Sequence, residues 1–214
     1  MINTEKIKAV DLAYWYFRLN GFLTIKNFVV HPDHGSGQKT DVDILGVRFP
    51  YRAELPTNPM KDNEIFTKIE SKPYIVLAEV TRPTCKINES WEKPKKEIYH
   101  SILKAIGAFQ QDDLIKKVTD GLYGDGVYEA ESYFVSLFCI GEQKDEELDE
   151  KHKGITQITW SEVLTFIYNR FKNYKTVKSD HCQWDTEGQV LWEVFEMHRR
   201  EQEEFIACIE RILI

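Results

Sequence analysis

Residues 71–88 read SKPYIVLAEVTRPTCKIN. From Tyr74 to Ala78 every residue is apolar or aromatic, the pattern of a central strand buried on both faces. The run ends in an acid, Glu79. A carboxylate at the end of a buried strand needs a counter-charge, because desolvating it alone costs several kcal/mol. Pro83 halts the strand soon afterwards. The meaning of the stretch depends on what else reaches Glu79.

Upstream, TDVDILGVRF (40–49) predicts a strand closed by Pro50, and it carries a second acid, Asp43. FLTIKNFVV (22–30) is β-branched and aromatic and predicts a strand before it. HPDHGSGQ (31–38) is loop by composition, with His31 and His34 as loop residues rather than metal ligands. Residues 3–20 bring Ile7, Val10, Leu12, Ala13, Tyr16, Phe17 and Leu19 to helical spacing. Asn3 or Thr4 is the expected cap and Asn20-Gly21 the stop. Residues 51–72 are polar and irregular.

Downstream, residues 92–109 predict an amphipathic helix through Ile98, Ile102, Leu103 and Ile106. DGLYGDG (120–126) reads as a turn-rich loop and ESYFVSLFCI (131–140) as a strand. The charge run GEQKDEELDEKHKG (141–154) reads as a solvated loop. ITQITW (155–160) is a short strand, and SEVLTFIYNRFKNY (161–174) a helix capped by Ser161. After a loop near 175–186, residues 187–214 form one long helix or two. This order predicts a mixed α/β sheet flanked by helices over residues 1–174, with a helical extension over 175–214.

The extension has two apolar groups. Val190, Leu191, Val194, Phe195 and Met197 form one; Phe205, Ile206, Cys208, Ile209, Ile212 and Leu213 form the other. They must be buried, either on the domain or on another chain. A homodimer or a protein partner held through this helix is therefore an expectation.

The 214 residues are 42% hydrophobic and 29% charged, enough to bury a core without disulfides or metal. A net charge of -7 argues against coating nucleic acid by global charge, but not against a local basic groove. Cys85, Cys139, Cys182 and Cys208 show no CxxC spacing, which speaks against a cysteine zinc site and for a reducing compartment. MINTEKIKAVDLAYWYF lacks the form of a signal peptide, and no apolar run approaches the roughly 20 residues of a membrane span. The expectation is a cytoplasmic protein with no membrane partner.

Asp43 and Glu79 fall on strands that neighbour each other in this order. Two close carboxylates repel, so an apolar sheet that brings them together implies a cation between them. Mg²⁺ or Mn²⁺ suits such a site, since hard cations take oxygen ligands.

Here the sequence resembles the PD-(D/E)XK nuclease superfamily, the restriction-endonuclease-like fold. Its core is helix, three-stranded meander, helix, strand, with an acid on the second strand and acid-x-lysine on the third. Asp43 matches the first acid and Glu79-Val80-Thr81 the second motif, with Thr81 at the lysine position. Asp11 matches an additional acid that many members carry in the first helix. Cys85, Asn88 and Trp91 match a Cys-x-x-Asn…Trp pattern that follows the motif in one bacterial subgroup. The resemblance covers residues 4 to about 172 and implies metal-dependent hydrolysis of nucleic-acid phosphodiesters, with DNA the favoured substrate. A setting in DNA repair, restriction or phage defence is implied by it alone.

Threonine cannot supply the charge of the family lysine. Lys86 can reach back from the loop on its long stem, the metal can act alone, or the fold can serve binding and assembly without catalysis. Lys93, Lys95 and Lys96 head the second helix, where positive charge opposes the helix dipole, and so are candidates for phosphate contacts. The plain alternatives are a polar strand face shared by Asp41 and Asp43, a salt bridge from Glu79 to Arg48 or Arg82, and solvated surface positions for Asp11, Lys86 and the lysine cluster.

Overall fold

The structure is a computed structural model, and it describes all residues except 1–5, 53–56, 58, 70, 93–96 and 176–184. Helix α1 (Ala9–Leu19) is followed by the antiparallel meander β1 (Leu23–Val30), β2 (Thr40–Arg48) and β3 (Tyr74–Val80). The short helix α2 (Glu64–Thr67) interrupts the segment read as irregular, capped by Asn63 and burying Phe66. Helices α3 (Glu89–Glu92), α4 (Glu97–Ile106) and α5 (Asp112–Asp125) then cross the sheet to β4 (Val127–Glu129) and β5 (Phe134–Gly141). Next come α6 (Glu146–Lys151), β6 (Thr156–Thr159), α7 (Trp160–Asn173), α8 (Thr186–Met197) and α9 (Gln202–Ile212).

The sheet order is β1-β2-β3-β5-β4, and β6 also pairs with β5. β5 runs parallel to β3 and to β6, while β4 takes the other half of its outer edge antiparallel. The expected coarse class, a mixed sheet flanked by helices, is what the chain forms. Alternation along β3 divides the core: Val76 and Ala78 face the layer of α1, α7, α8 and α9, whereas Ile75 and Leu77 face that of α3, α4 and α5.

Three local expectations change. DGLYGDG is the last turn of α5, not a loop; the helix ends only at Gly126, whose φ of 79° supplies the left-handed cap. Gly121 sits inside that helix because a Cβ there would lie 2.9 Å from the Val127 carbonyl oxygen, so its glycine serves close packing rather than a turn. In the charge run, Asp145 caps α6 and Leu148 is buried, so part of the supposed loop is ordered on the core. α7 starts one residue earlier than predicted: Thr159, not Ser161, caps it, in a reciprocal capping box with Glu162. Residues 3 and 4 lie outside the described residues, and Lys8 occupies the position before α1.

The C-terminal helices close on the chain's own core. Asp185 accepts from the Trp15 indole and from Gly188 N–H, both at 2.9 Å, and so ties α8 to α1. A side chain at Gly188 would run into the Trp15 ring. Val190, Leu191, Val194, Phe195, Phe205, Cys208, Ile209 and Leu213 are all buried in the α1 layer. Most of the apolar surface that suggested a homodimer or protein partner through this helix is therefore already covered; of its members Met197 is exposed and Ile206 and Ile212 are half-buried. Among the described residues, no helix is long and apolar enough to cross a membrane.

Candidate functional site

β2 and β3 stop pairing at Ile44–Ala78. The next residues outward on each strand are Asp43 and Glu79. At this step the sheet opens. Asp43 Oδ2 accepts from Val80 N–H at 2.8 Å, so a carboxylate replaces the backbone partner that β2 would have offered. β1 bends at the same level: its register skips from Lys26–Ile44 to Phe28–Val42, leaving Asn27 opposite Asp43 with a φ of 52°. Such a left-handed conformation is uncommon outside glycine, though asparagine tolerates it best.

Glu79 is 8% exposed, and its Oε1 is buried without a hydrogen-bond partner among the described residues. Burial, then the charges of Asp43 and Asp41, push its carboxyl up to about 9. The Asp43 N–H and the Asn88 side chain oppose that rise. Asp43 is also raised, by burial and the Asp41 charge, and is held back by Val80 N–H. Asp41 is thus the third negative charge at the opening, a residue that the sequence marked only as part of a polar strand face.

Among the described residues, no lysine or arginine pairs with either carboxyl. Arg48 points elsewhere, to Asp62 at 2.8 Å and the Asn20 carbonyl, and Arg82 lies 3.9 Å from Glu142, so neither is the salt-bridge partner of Glu79. Lys86 is exposed between buried Cys85 and Ile87, and alternation turns it away from the packed layer. Thr81 is committed to the backbone: its hydroxyl lies 2.7 Å from the Thr84 carbonyl and 3.2 Å from that of Ile140. It closes the turn after β3 and does not stand in for a lysine. Lys93, Lys95 and Lys96 lie outside the described residues.

Asp11 belongs to another part of the molecule. It bonds Lys26 on β1 at 2.6 Å within the α1 layer, whereas Glu79 alternates with Ala78 and Val80, which face that layer. The sheet separates Asp11 from the acid pair, and its ion pair with Lys26 satisfies it locally.

The pair tests well as a cation site in one respect. A buried carboxylate oxygen with no donor is a free lone pair for a metal ion, and hard divalent cations complete their shells with water. Asp43 and Glu79 are the residues that would hold Mg²⁺ or Mn²⁺. Among the described residues, no three His, Cys, Asp or Glu side chains converge as a metal-holding group. A cavity of about 960 Å³ lies on the same side of the sheet, between the end of β1, α4 and α5. Its lysines are already engaged, Lys39 with Ser101 and Lys104 and Lys116 with Asp112.

In comparisons with known proteins, no family model, no curated protein and no solved structure matched the chain.

Proposed function

We propose that the chain is a metal-dependent nuclease-like protein of the restriction-endonuclease-like type, acting on nucleic-acid phosphodiesters with DNA as the favoured substrate. The observation that carries this reading is the strand opening. Two carboxyls are brought together where β2 leaves β3, and one of them keeps a buried oxygen with no donor among the described residues.

A bound Mg²⁺ or Mn²⁺ would polarise the scissile phosphate and lower the pKa of a coordinated water. The chain's own part is to hold that ion and shield it. Asp43 is fixed by Val80 N–H and Glu79 by burial, and a positive charge between them would oppose the rise of both carboxyls. A cytoplasmic setting in repair, restriction or phage defence belongs to the same proposal.

A second reading has its own observation. Thr81 is spent on the turn and Lys86 is exposed, so among the described residues none stands in for the family lysine. The domain then serves nucleic-acid or protein binding without catalysis. Cleavage of plasmid, linear duplex, single-stranded DNA and RNA, with Mg²⁺ or Mn²⁺, separates the two. The nuclease reading expects cleavage that Glu79→Gln abolishes. No cleavage on any substrate, with melting unmoved by either metal, leaves the binding reading.

A further inference from the structure

We propose that a second, cationic site lies in the cavity beside Asp62, in the α7 layer, and that it binds a phosphate group. The proposal does not depend on the metal-site reading above.

The Asp62 carboxylate is almost wholly buried, and three guanidiniums converge on it: Arg48 at 2.8 Å, Arg170 at 2.9 Å and Arg52 at 3.1 Å. Arg48 ends β2, and Arg170 belongs to the buried face of α7, its side chain only 2% exposed. Among the described residues, neither of these two has an acidic partner besides Asp62. Two buried guanidiniums on one carboxylate leave a positive charge over, and a buried charge without compensation is costly. A second anion would balance it.

Arg170 also has donors left over. Its Nη2 donates to the Lys61 carbonyl at 2.8 Å and to Asp62. A guanidinium carries five N–H groups, so three, on Nε and Nη1, have no partner among the described residues. Two rings hold the group in place: its central carbon lies 5.1 Å from the centre of Phe166 and 5.8 Å from that of Tyr174.

Arg170 lines a cavity of about 460 Å³ together with Lys61, Asn169, Asn173, Phe166 and Tyr174. No carboxylate is among them. Lys61, Asn169 and Asn173 are exposed, and among the described residues their side chains have no ion pair or hydrogen bond. The two asparagines stand one helical turn apart on α7, so both amides serve the same side. The Tyr174 hydroxyl is engaged with the Pro59 carbonyl, which leaves its ring as a wall. The larger cavity beside α4 and α5 differs, since acids line it along with its lysines.

A guanidinium, an ammonium and two amide NH₂ groups suit an oxyanion. A guanidinium fork takes two oxygens, and a phosphate has others for the ammonium and the amides, whereas a carboxylate has none. Arg48 lies five residues along β2 from Asp43, about 17 Å at strand spacing. The site therefore holds a different phosphate from any at the acid pair. That group belongs either to a nucleic-acid backbone or to a small phosphorylated molecule.

The test is titration calorimetry on the full chain, in EDTA and at constant ionic strength, with three probes: inorganic phosphate, thymidine monophosphate and a short thymidine oligonucleotide. Lys61→Ala and Asn173→Ala change exposed positions and are expected to melt as the wild type does. Each should weaken phosphate binding about 10-fold or more, the worth of one hydrogen bond to a charged group. Lys172→Ala, an exposed lysine of the same helix that does not line the cavity, should leave binding unchanged. Tighter binding of the oligonucleotide than of the monophosphate assigns the site to a strand, and the reverse assigns it to a small phosphorylated molecule. No binding of any probe overturns the proposal. So does wild-type affinity in Lys61→Ala and Asn173→Ala, or an equal loss in Lys172→Ala, which would reduce the effect to surface charge.

Discussion

Replacing Glu79 by glutamine should make the metal-free protein more stable at alkaline pH, although it removes the candidate ligand. Burial and the neighbouring acids raise the Glu79 carboxyl from its ordinary 4.5 to about 9. The folded chain therefore keeps a proton there that the unfolded chain releases. For a group raised on folding, the stabilisation is complete below the unfolded value and is lost as pH climbs toward the folded one. Each pH unit in that window is worth about 1.4 kcal/mol, so the loss between about pH 5.5 and pH 8 is at most about 3 kcal/mol. Protein relaxation and water entry reduce it, and about 1–2 kcal/mol is the expected effect. Asp43 is raised as well and adds to the same trend. Urea unfolding of wild type and Glu79→Gln, in EDTA at both pH values, measures it. The wild type should lose stability relative to the variant as pH rises. Adding Mn²⁺ should restore the wild type alone, by about 2.7 kcal/mol at a hundred times its dissociation constant. A difference between the two proteins that stays constant with pH would refute the burial argument.

Three further outcomes follow from the geometry. Asp43→Asn removes the nearest charge on Glu79 while keeping an oxygen for Val80 N–H, so carboxyl-carbon NMR should find Glu79 titrating lower and calorimetry should find Mn²⁺ binding lost. Thr81→Val should cost about 1 kcal/mol in urea unfolding, the worth of one hydroxyl hydrogen bond, and leave Mn²⁺ binding intact; loss of binding would return Thr81 to the site. Phe205→Ala should cost about 3–5 kcal/mol, because the ring is fully buried against Tyr168, and thermal melting would show α9 to be part of the core rather than an appendage.

The sequence alone determined β1, β2, β3, β5 and β6 and the position of the acids, and missed the short β4. An unbroken apolar run such as Tyr74–Ala78 has few other uses, and the alternation in TDVDILG sets β2 beside it. Local patterning can do this because a strand's period of two is written in consecutive residues. It misread DGLYGDG because glycine in a helix, placed for close packing against β4, looks the same as glycine in a turn. It left open what the C-terminal apolar groups cover, since their partners, Trp15 and the α7 face, are more than a hundred and about thirty residues away, respectively. Asp11 and Asp43 were equivalent as sequence. Only the sheet between them, and Lys26 beside the first, separated an ion pair from a candidate site. The tertiary structure also decided what surrounds Glu79: its burial, the neighbouring acids Asp43 and Asp41, and an oxygen left without a hydrogen-bond partner among the described residues. Such relations depend on distances across the fold, and no spacing along the chain encodes them.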